Sequence, residues 1–304
     1  MYGLASFVMR GRSQAAMAAT VLAMLALLVP LLSILSSAVV TFVTLRKGLT
    51  DGLVVGAISA LASGLLSYLL LESPAPVVGF MLVLWLPVWV LGAVLRSSRS
   101  LDLAAQLALG FGLVLLAVFY LQLGEPQAQW KEILQPMAEH FVESQILDAD
   151  QSQAFVHLVA AWMTGIFAAG FYFQLLLALL LARNWQARMY NPGGFQAEFH
   201  ALRASRLLGL MALPLLGLTL LQGAEAPGLV RDLGLLLVPL FFLQGLAVAH
   251  SVVARTHMST GWLVALYILL FVAIPHAEIL VTLVGVADVF ADFRSRVKPA
   301  ARPE

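Results

Sequence analysis

The chain has 304 residues, of which 61% are hydrophobic and only 11% are charged, and its mean hydropathy is +0.94. A soluble chain of this length would carry charged faces on most of its helices, so this composition excludes an ordinary soluble domain and predicts a polytopic integral membrane protein. The net charge is only +1, and the absence of cysteine excludes disulfides, thiolate metal ligands and a cysteine nucleophile.

The first apolar run covers residues 14–45 and carries no charge. As one helix it would be about 48 Å long, against a hydrocarbon core of about 30 Å. Pro30 lies near its middle and predicts a break into two segments, near 14–29 and 31–45. The pair either crosses the membrane and returns or forms a re-entrant hairpin, and both alternatives return the chain to the side on which it started.

Three clearer spans follow at residues 53–71, 77–95 and 101–123, each long enough to cross a bilayer. The connection between the first two contains no base, which predicts an outside location. The next connection contains Arg96 and Arg99. It is predicted to be cytoplasmic, because Lys and Arg near membrane spans are retained on that side.

Residues 124–153 form the one long polar segment that is predicted to lie outside the cytoplasm. The segment is acidic, with Lys131 as its only base, and its apolar side chains recur at helical spacing. Pro126 is suited to start a helix, whereas Pro136 should kink it. We therefore expect a broken amphipathic helix that lies on the outer membrane surface or caps the bundle.

A span at 154–181 leads into a strongly basic segment, residues 183–206, which we predict to be a cytoplasmic loop. Its turn residues, 191–194, precede a short amphipathic stretch whose apolar side chains, Phe195, Phe199 and Leu202, would touch the membrane or a partner while its arginines face lipid phosphates. An anchor on anionic lipid and a partner-docking site are both open. The candidate contact residues are Arg188, Phe195, Phe199 and Arg203.

Spans at 207–221 and 233–253 come next, and a final apolar run covers residues 262–290. This run is again too long for one untilted span, and Pro275 near its middle predicts a second broken pair. The break returns the tail, residues 292–304, to the cytoplasm.

This arrangement places all but Lys131 and Arg231 of the 17 basic residues inside, with both termini cytoplasmic. Treating the broken runs as single kinked helices would put Arg46 and Lys47 outside, against the charge rule. We therefore expect an all-α, polytopic helical bundle with about 8 to 10 membrane segments. Residues 1–304 would form a single membrane domain.

Polar side chains inside the apolar spans are the candidates for ligand binding, because burying them in lipid is costly. Glu278, Thr282, Gly285 and Asp288 share one face of the final helix or its edge and would line a polar cavity. Alternatively, Glu278 and Asp288 are solvated at the two membrane surfaces. The ligand-binding candidates are Gln174, Gln244, Glu278, Thr282 and Asp288.

The sequence shows no nucleotide-binding, nucleophile-elbow or zinc-binding motif. We therefore expect no catalytic residue, metal, cofactor or nucleic-acid partner. Small residues do repeat every four positions on the first segment, at Ala15, Ala19 and Ala23. This spacing lets helix backbones approach closely, either within the protein or at a partner.

Three ordered motifs resemble the YybS-like family of predicted bacterial membrane proteins (domain of unknown function 2232). They are P-x-x-S-x-L-S-S at residues 30–37 leading into LRKG at 45–48, YNPGGF at 190–195, and G-x-x-D-x-x-x-D-F-R at 285–294. The resemblance covers nearly the whole chain and implies a multi-pass protein of the bacterial inner membrane.

That family is similar to the membrane substrate-binding subunits of energy-coupling-factor vitamin transporters and to the rod-shape protein MreD. The resemblance implies a non-enzymatic subunit that binds a small molecule, or a scaffold that recruits a membrane protein partner. In the transporter subunits an alanine-spaced first helix docks the coupling protein, and Ala15, Ala19 and Ala23 would correspond. This chain departs from that pattern by its extra C-terminal spans and its large outer loop.

Overall fold

The computed structural model describes residues 2–73 and 75–297, and among these it contains helices and no strand. The all-α prediction is therefore confirmed. The last part of the predicted cytoplasmic tail, residues 298–304, lies outside the described residues.

The helices follow one another with short connections, and two irregular segments interrupt them: a π-helix, Phe80–Trp85, and a 3₁₀ turn, Gly223–Glu225. In chain order the α-helices are α1 (Tyr2–Met9), α2 (Arg12–Ala26), α3 (Leu32–Lys47), α4 (Leu49–Leu71), α5 (Ala75–Gly79), α6 (Leu86–Ser98), α7 (Leu101–Leu123), α8 (Pro126–Glu143), α9 (Ala149–Tyr190), α10 (Gly194–Ala201), α11 (Arg206–Gln222), α12 (Gly228–Arg255), α13 (Gly261–Val272), α14 (His276–Ala291) and α15 (Phe293–Arg296).

Within residues 2–73 and 75–297, six helical stretches are long and apolar enough to cross a membrane, which supports the prediction of a multi-pass membrane protein. They are Leu49–Leu70, Phe80–Ser98, Leu101–Leu123, Ala149–Tyr190, Arg206–Glu225 and Gly228–Arg255. The remaining apolar helices form the two predicted broken runs. The first run breaks between α2 and α3, around Pro30, and the second breaks between α13 and α14, at Pro275.

The chain divides into two compact units. Unit 1 consists of Met1–Ala108 and Phe173–Leu202. Within it, α2 packs against α3 and α4, and α3 also packs against α6. Many of the residues buried in α2 and α3 are small, which lets the helix backbones approach closely.

Unit 2 consists of Leu109–Tyr172 and Arg203–Glu304. Its α12 packs against α11 and α14. The α12–α14 contact is backbone to backbone, since a Cβ on Gly245 would lie 2.0 Å from the carbonyl oxygen of Val281. The expectation of one membrane domain over residues 1–304 stays a prediction.

Two polar segments differ from their predicted form. Pro136 does not break α8, which continues from Pro126 to Glu143, although Pro126 does occupy the first turn as expected. The span predicted at 154–181 is part of the 42-residue α9. The first part of the predicted basic loop is therefore a continuation of that helix.

Candidate functional site

The predicted stripe on α14 lies against α12. Thr282, Gly285 and Asp288 are buried, and Glu278 is half-buried. A Cβ on Gly285 would lie only 1.9 Å from the carbonyl oxygen of Phe241, so the two helix backbones are in contact there. The buried part of the stripe thus belongs to the helix-packing seam between α12 and α14, and its role in ligand binding stays a prediction.

Asp288 belongs to a hydrogen-bonded cluster that ties together four segments of unit 2. Its Oδ2 accepts from Gln244 Nε2 at 3.0 Å and from Arg294 Nη2 at 2.5 Å, and its Oδ1 accepts from the Phe293 backbone N–H at 3.1 Å. Gln244 Oε1 accepts from the Ala204 backbone N–H at 2.8 Å. We call Gln244, Asp288 and Arg294 the Asp288 cluster. These hydrogen bonds join the three side chains to one another and to the backbone of Ala204 and Phe293.

A second set of contacts surrounds the Asp288 cluster. Arg203 donates to Asp292, and Arg255 Nη1 donates to the carbonyl oxygen of Arg294 at 2.6 Å. The hydrogen bond from Arg203 holds the pKa of Asp292 below its usual range. Because the folded-state pKa is lowered, this contact stabilises the fold above about pH 4 and its contribution is lost as the pH falls through the lowered pKa.

Gln174 belongs to unit 1, whereas the other predicted ligand residues belong to unit 2. Its Nε2 is buried and has no hydrogen-bond partner among the described residues. Trp185 Nε1, three turns further along α9, is also buried and unpartnered in the described part of the chain.

Ala15, Ala19 and Ala23 are buried within unit 1. The helix that carries them packs against α3 and α4, and Ser36 Oγ donates to the carbonyl oxygen of Ala19 at 2.8 Å. Of the two alternatives for the alanine spacing, packing within the protein is the one that agrees with this position. Docking a partner on these alanines would require α2 to leave its neighbours.

The basic segment folds back as a hairpin of α9 and α10. Arg183 binds Glu198 through two hydrogen bonds, Nε to Oε2 at 2.8 Å and Nη2 to Oε1 at 2.5 Å. Arg188 Nε donates to Asn184 on the same helix at 3.1 Å. The paired guanidinium and carboxylate fix the angle between the two helices.

No residue of α10 is buried. Phe195 and Phe199 stack on each other with ring centroids 5.9 Å apart, and both are half-buried. Leu202, which the sequence grouped with them, is buried. On the other side of the hairpin, the Arg46 guanidinium lies 4.1 Å from the centroid of the Tyr190 ring.

An apolar cavity of about 190 Å³ lies in unit 1 between α3, α4, the π-helix and α6. All of its lining residues are apolar, and they include Gly52, Gly56, Leu82, Trp85 and Trp89. The π-helix forms part of the wall, and such segments occur frequently at functional sites. The signals for this cavity in the sequence are the motif G-x-x-x-G at residues 52–56 and the motif W-x-x-x-W at residues 85–89. The sequence analysis missed them because it looked for polar residues inside apolar spans, and this site is apolar.

Both indole N–H groups of the cavity lining donate hydrogen bonds to residues that are not among the lining residues. Trp85 Nε1 donates to Ser36 Oγ at 3.0 Å, and Trp89 Nε1 donates to the carbonyl oxygen of Leu49 at 2.9 Å. The cavity therefore presents apolar surface, and it is suited to an apolar molecule or an apolar part of one.

A buried ionic cluster in unit 2 was not predicted from the sequence. Arg231 and Asp232 are both buried, and Tyr120 Oη donates to Asp232 Oδ2 at 2.8 Å. Arg231 Nη1 donates to the carbonyl oxygens of Ala224 and Ala226 at 2.8 and 3.1 Å. Arg231, one of the two basic residues that the charge rule does not place inside, thus holds the turn before α12.

Comparison with curated proteins and with solved structures gives no significant match. A family model described as "Predicted membrane protein (DUF2232)" matches residues 17–289, which include every helix from α3 to α13. The chain therefore belongs to the DUF2232 family of predicted membrane proteins.

Proposed function

We propose that this protein is a non-enzymatic, transporter-like subunit of the bacterial inner membrane that binds a small apolar molecule in the unit 1 cavity. The apolar cavity carries the proposal. Its rim is open, since Leu53 and Leu82 are each 53% exposed, so a ligand dissolved in the bilayer has a lateral route to it. The similarity to energy-coupling-factor substrate-binding subunits supports the same function. Such a subunit needs a partner that supplies energy, because the sequence has no nucleotide-binding motif.

Unit 1, and not the α14 stripe, holds the proposed site. Gln244 and Asp288 already hydrogen-bond to Arg294 and to the backbone, and Thr282 lies at a helix-packing seam. A polar ligand at that place would have to break these contacts. An apolar ligand in the cavity between α3, α4 and α6 would not have to break hydrogen bonds of this kind.

Filling the cavity tests this function. A Cβ on Gly56 meets nothing within 4 Å, so Gly56→Leu would project into the cavity with little strain. Gly110→Leu is the matched control, because Gly110 is exposed on α7 and also has nothing within 4 Å. We expect native mass spectrometry of the gently solubilised protein to show a small-molecule adduct in the unaltered protein and the control, and to show none in Gly56→Leu. Equal retention in all three proteins would contradict the proposal.

A second candidate is an MreD-like scaffold that recruits a membrane protein partner. The specific observation is that α10 buries none of its residues while its two phenylalanines stack into one apolar face. A photocrosslinker at Phe195 or Phe199 should then capture one defined protein, whereas the same group at the buried Leu202 should not. Capture of lipid alone would count against the scaffold and would favour a membrane anchor.

A further inference from the structure

We infer that the molecule bound in the unit 1 cavity is an anionic phospholipid, with an acyl chain in the cavity and its headgroup at a basic corner beside it. This inference rests on the proposed function and names its ligand class. The basic corner is the cytoplasmic junction of α3, α4 and α6, and its cations are Arg12, Arg46, Lys47, Arg96 and Arg99.

The corner and the cavity are directly connected. Trp89, a lining residue, donates to the carbonyl oxygen of Leu49 at the start of α4, and Gly52 in the lining follows one turn later, about 5 Å along the helix. Arg96 Nη1 donates to the carbonyl oxygens of Leu45 and Arg46 at 2.6 and 3.1 Å. The end of α6 is thereby held at the α3–α4 junction, within the reach of a lipid whose chain lies in the cavity.

A polar headgroup has no partner inside the cavity. Among the described residues of its lining, the only nitrogen or oxygen atoms of side chains are the indole N–H groups of Trp85 and Trp89, and both already donate hydrogen bonds elsewhere. Burying an unpaired phosphate there would be very costly, so the head must lie where cations and water meet it.

The charge balance at the corner favours an anion. Five cations face two acids, Asp51 and Asp102, and Asp51 is already paired with Arg12. Lys47 and Arg99 are exposed, and their side chains form no ion pair with the described residues. Cations at this surface attract the anionic lipids of the cytoplasmic leaflet.

The test compares phosphatidylglycerol with phosphatidylcholine of identical chains, offered in equal amounts to the purified full chain and measured by native mass spectrometry. We expect preferential retention of phosphatidylglycerol, and loss of that preference in the double variant Lys47→Gln/Arg99→Gln. At about 1 kcal/mol per basic side chain, two neutralised cations correspond to a loss of affinity of about thirty-fold. The double variant Arg206→Gln/Arg296→Gln removes the same charge from unit 2 and should keep the preference.

The outcomes separate this inference from the proposed function. If Gly56→Leu abolishes retention of a neutral or zwitterionic molecule, and Lys47→Gln/Arg99→Gln changes nothing, the cavity binds its ligand but the anionic headgroup is wrong. If Gly56→Leu leaves phosphatidylglycerol retention equal to that of Gly110→Leu, the lipid is not in the cavity and this inference is overturned, whereas the proposed function is overturned only if Gly56→Leu also keeps the small-molecule adduct.

Discussion

At the scale of single residues, Asp288 shows how a polar group inside an apolar helix is accommodated. The side chains of Asp288 and Gln244 are completely buried, and Arg294 is 4% exposed. Such charges are stable in an apolar environment only when paired and hydrogen-bonded, and here both carboxylate oxygens accept bonds. The carboxylate thus fixes the chain after α14 to α12.

We predict that Asp288→Asn lowers the free energy of unfolding by about 3 kcal/mol, because it removes the negative charge from a buried ion pair with the Arg294 guanidinium. The measurement is the thermal unfolding midpoint in detergent. Asp292→Asn is the control, since it removes an equivalent carboxylate whose partner Arg203 is 39% exposed. The control should change the midpoint much less, and equal effects would show that burial of the pair is not what matters.

The sequence identified Asp288 and Gln244 as unusual, but it did not show that they pair with each other. Their partner Arg294 lies beyond the end of α14, where Asp292 adopts a left-handed conformation with φ of 44° and turns the chain back. Periodicity predicts which face of a helix a residue occupies, but it carries no information about a reversal beyond the helix end. Both residues take part in packing within unit 2, and their role in ligand binding stays a prediction.

At the scale of helices, the α12–α14 seam depends on two glycines. A Cβ at Gly285 or Gly245 would meet backbone carbonyl groups of the facing helix at 1.9 and 2.0 Å, and backbone atoms cannot move aside as a flexible side chain does. We predict that Gly285→Ala destabilises the protein by at least about 2 kcal/mol, because the helices must separate.

Thermal unfolding in detergent measures this effect, and Gly217→Ala provides the control. Gly217 lies inside α11 and has nothing within 4 Å of its Cβ position, so alanine should stabilise that helix by up to about 1 kcal/mol. We therefore expect Gly285→Ala to lower the unfolding midpoint and Gly217→Ala to raise it. A neutral Gly285→Ala would show that the close approach is not required.

Trp130 is one of the aromatic residues through which α8 contacts α9. Trp130 Nε1 donates to Thr164 Oγ1 at 2.8 Å, and its ring stacks on Phe167 with centroids 5.4 Å apart. We predict that Trp130→Ala increases cleavage of α8 by a protease added outside spheroplasts, because the helix loses a hydrogen bond and a ring contact with α9. Ile133→Ala, at a position 61% exposed, should leave the cleavage rate unchanged. Equal protection of both variants would contradict this role of Trp130.

Much of the helix order could be predicted from the sequence. The apolar runs and the charged residues between them located the spans, and Pro30 and Pro275 marked the two interruptions. The helix break predicted at Pro136 does not occur. The missing N–H of this proline costs the helix only one hydrogen bond, and the carbonyl group that loses its partner is solvated because α8 is polar and exposed. The contact of Ser152 Oγ with the carbonyl oxygen of Ala138, at 2.9 Å, adds a support that periodicity does not show.

At the scale of the whole molecule, helix length bears on how many times the chain crosses the membrane. Six helical stretches in the described part of the chain have the length needed to cross. The 15 residues of α2 and the 16 of α3 extend only about 22 and 24 Å, less than a hydrocarbon core of about 30 Å. The 12 residues of α13 extend about 18 Å. These lengths favour pairs that enter the membrane and return, over pairs that cross it completely.

We therefore predict that Leu28→Cys, at the turn between α2 and α3, does not react with a membrane-impermeant maleimide added outside intact cells or spheroplasts. Leu28 is 81% exposed, so a thiol there would react if the turn reached the outer surface. The natural chain has no cysteine, which makes each introduced thiol a single reporter. Ser144→Cys in the outer segment should be labelled from outside, and Ser97→Cys only after permeabilisation.

Labelling of Leu28→Cys from outside would establish two full crossings and raise the number of spans. Neither result changes the side on which the chain ends, because a crossing pair and a re-entrant pair both return the chain to their starting side. Ser295→Cys, near the end of the described chain, should consequently be labelled only after permeabilisation in both cases. If Ser295→Cys were labelled from outside, the chain would cross the membrane an odd number of times, either because one of the six long helices does not cross it or because one broken run crosses it only once.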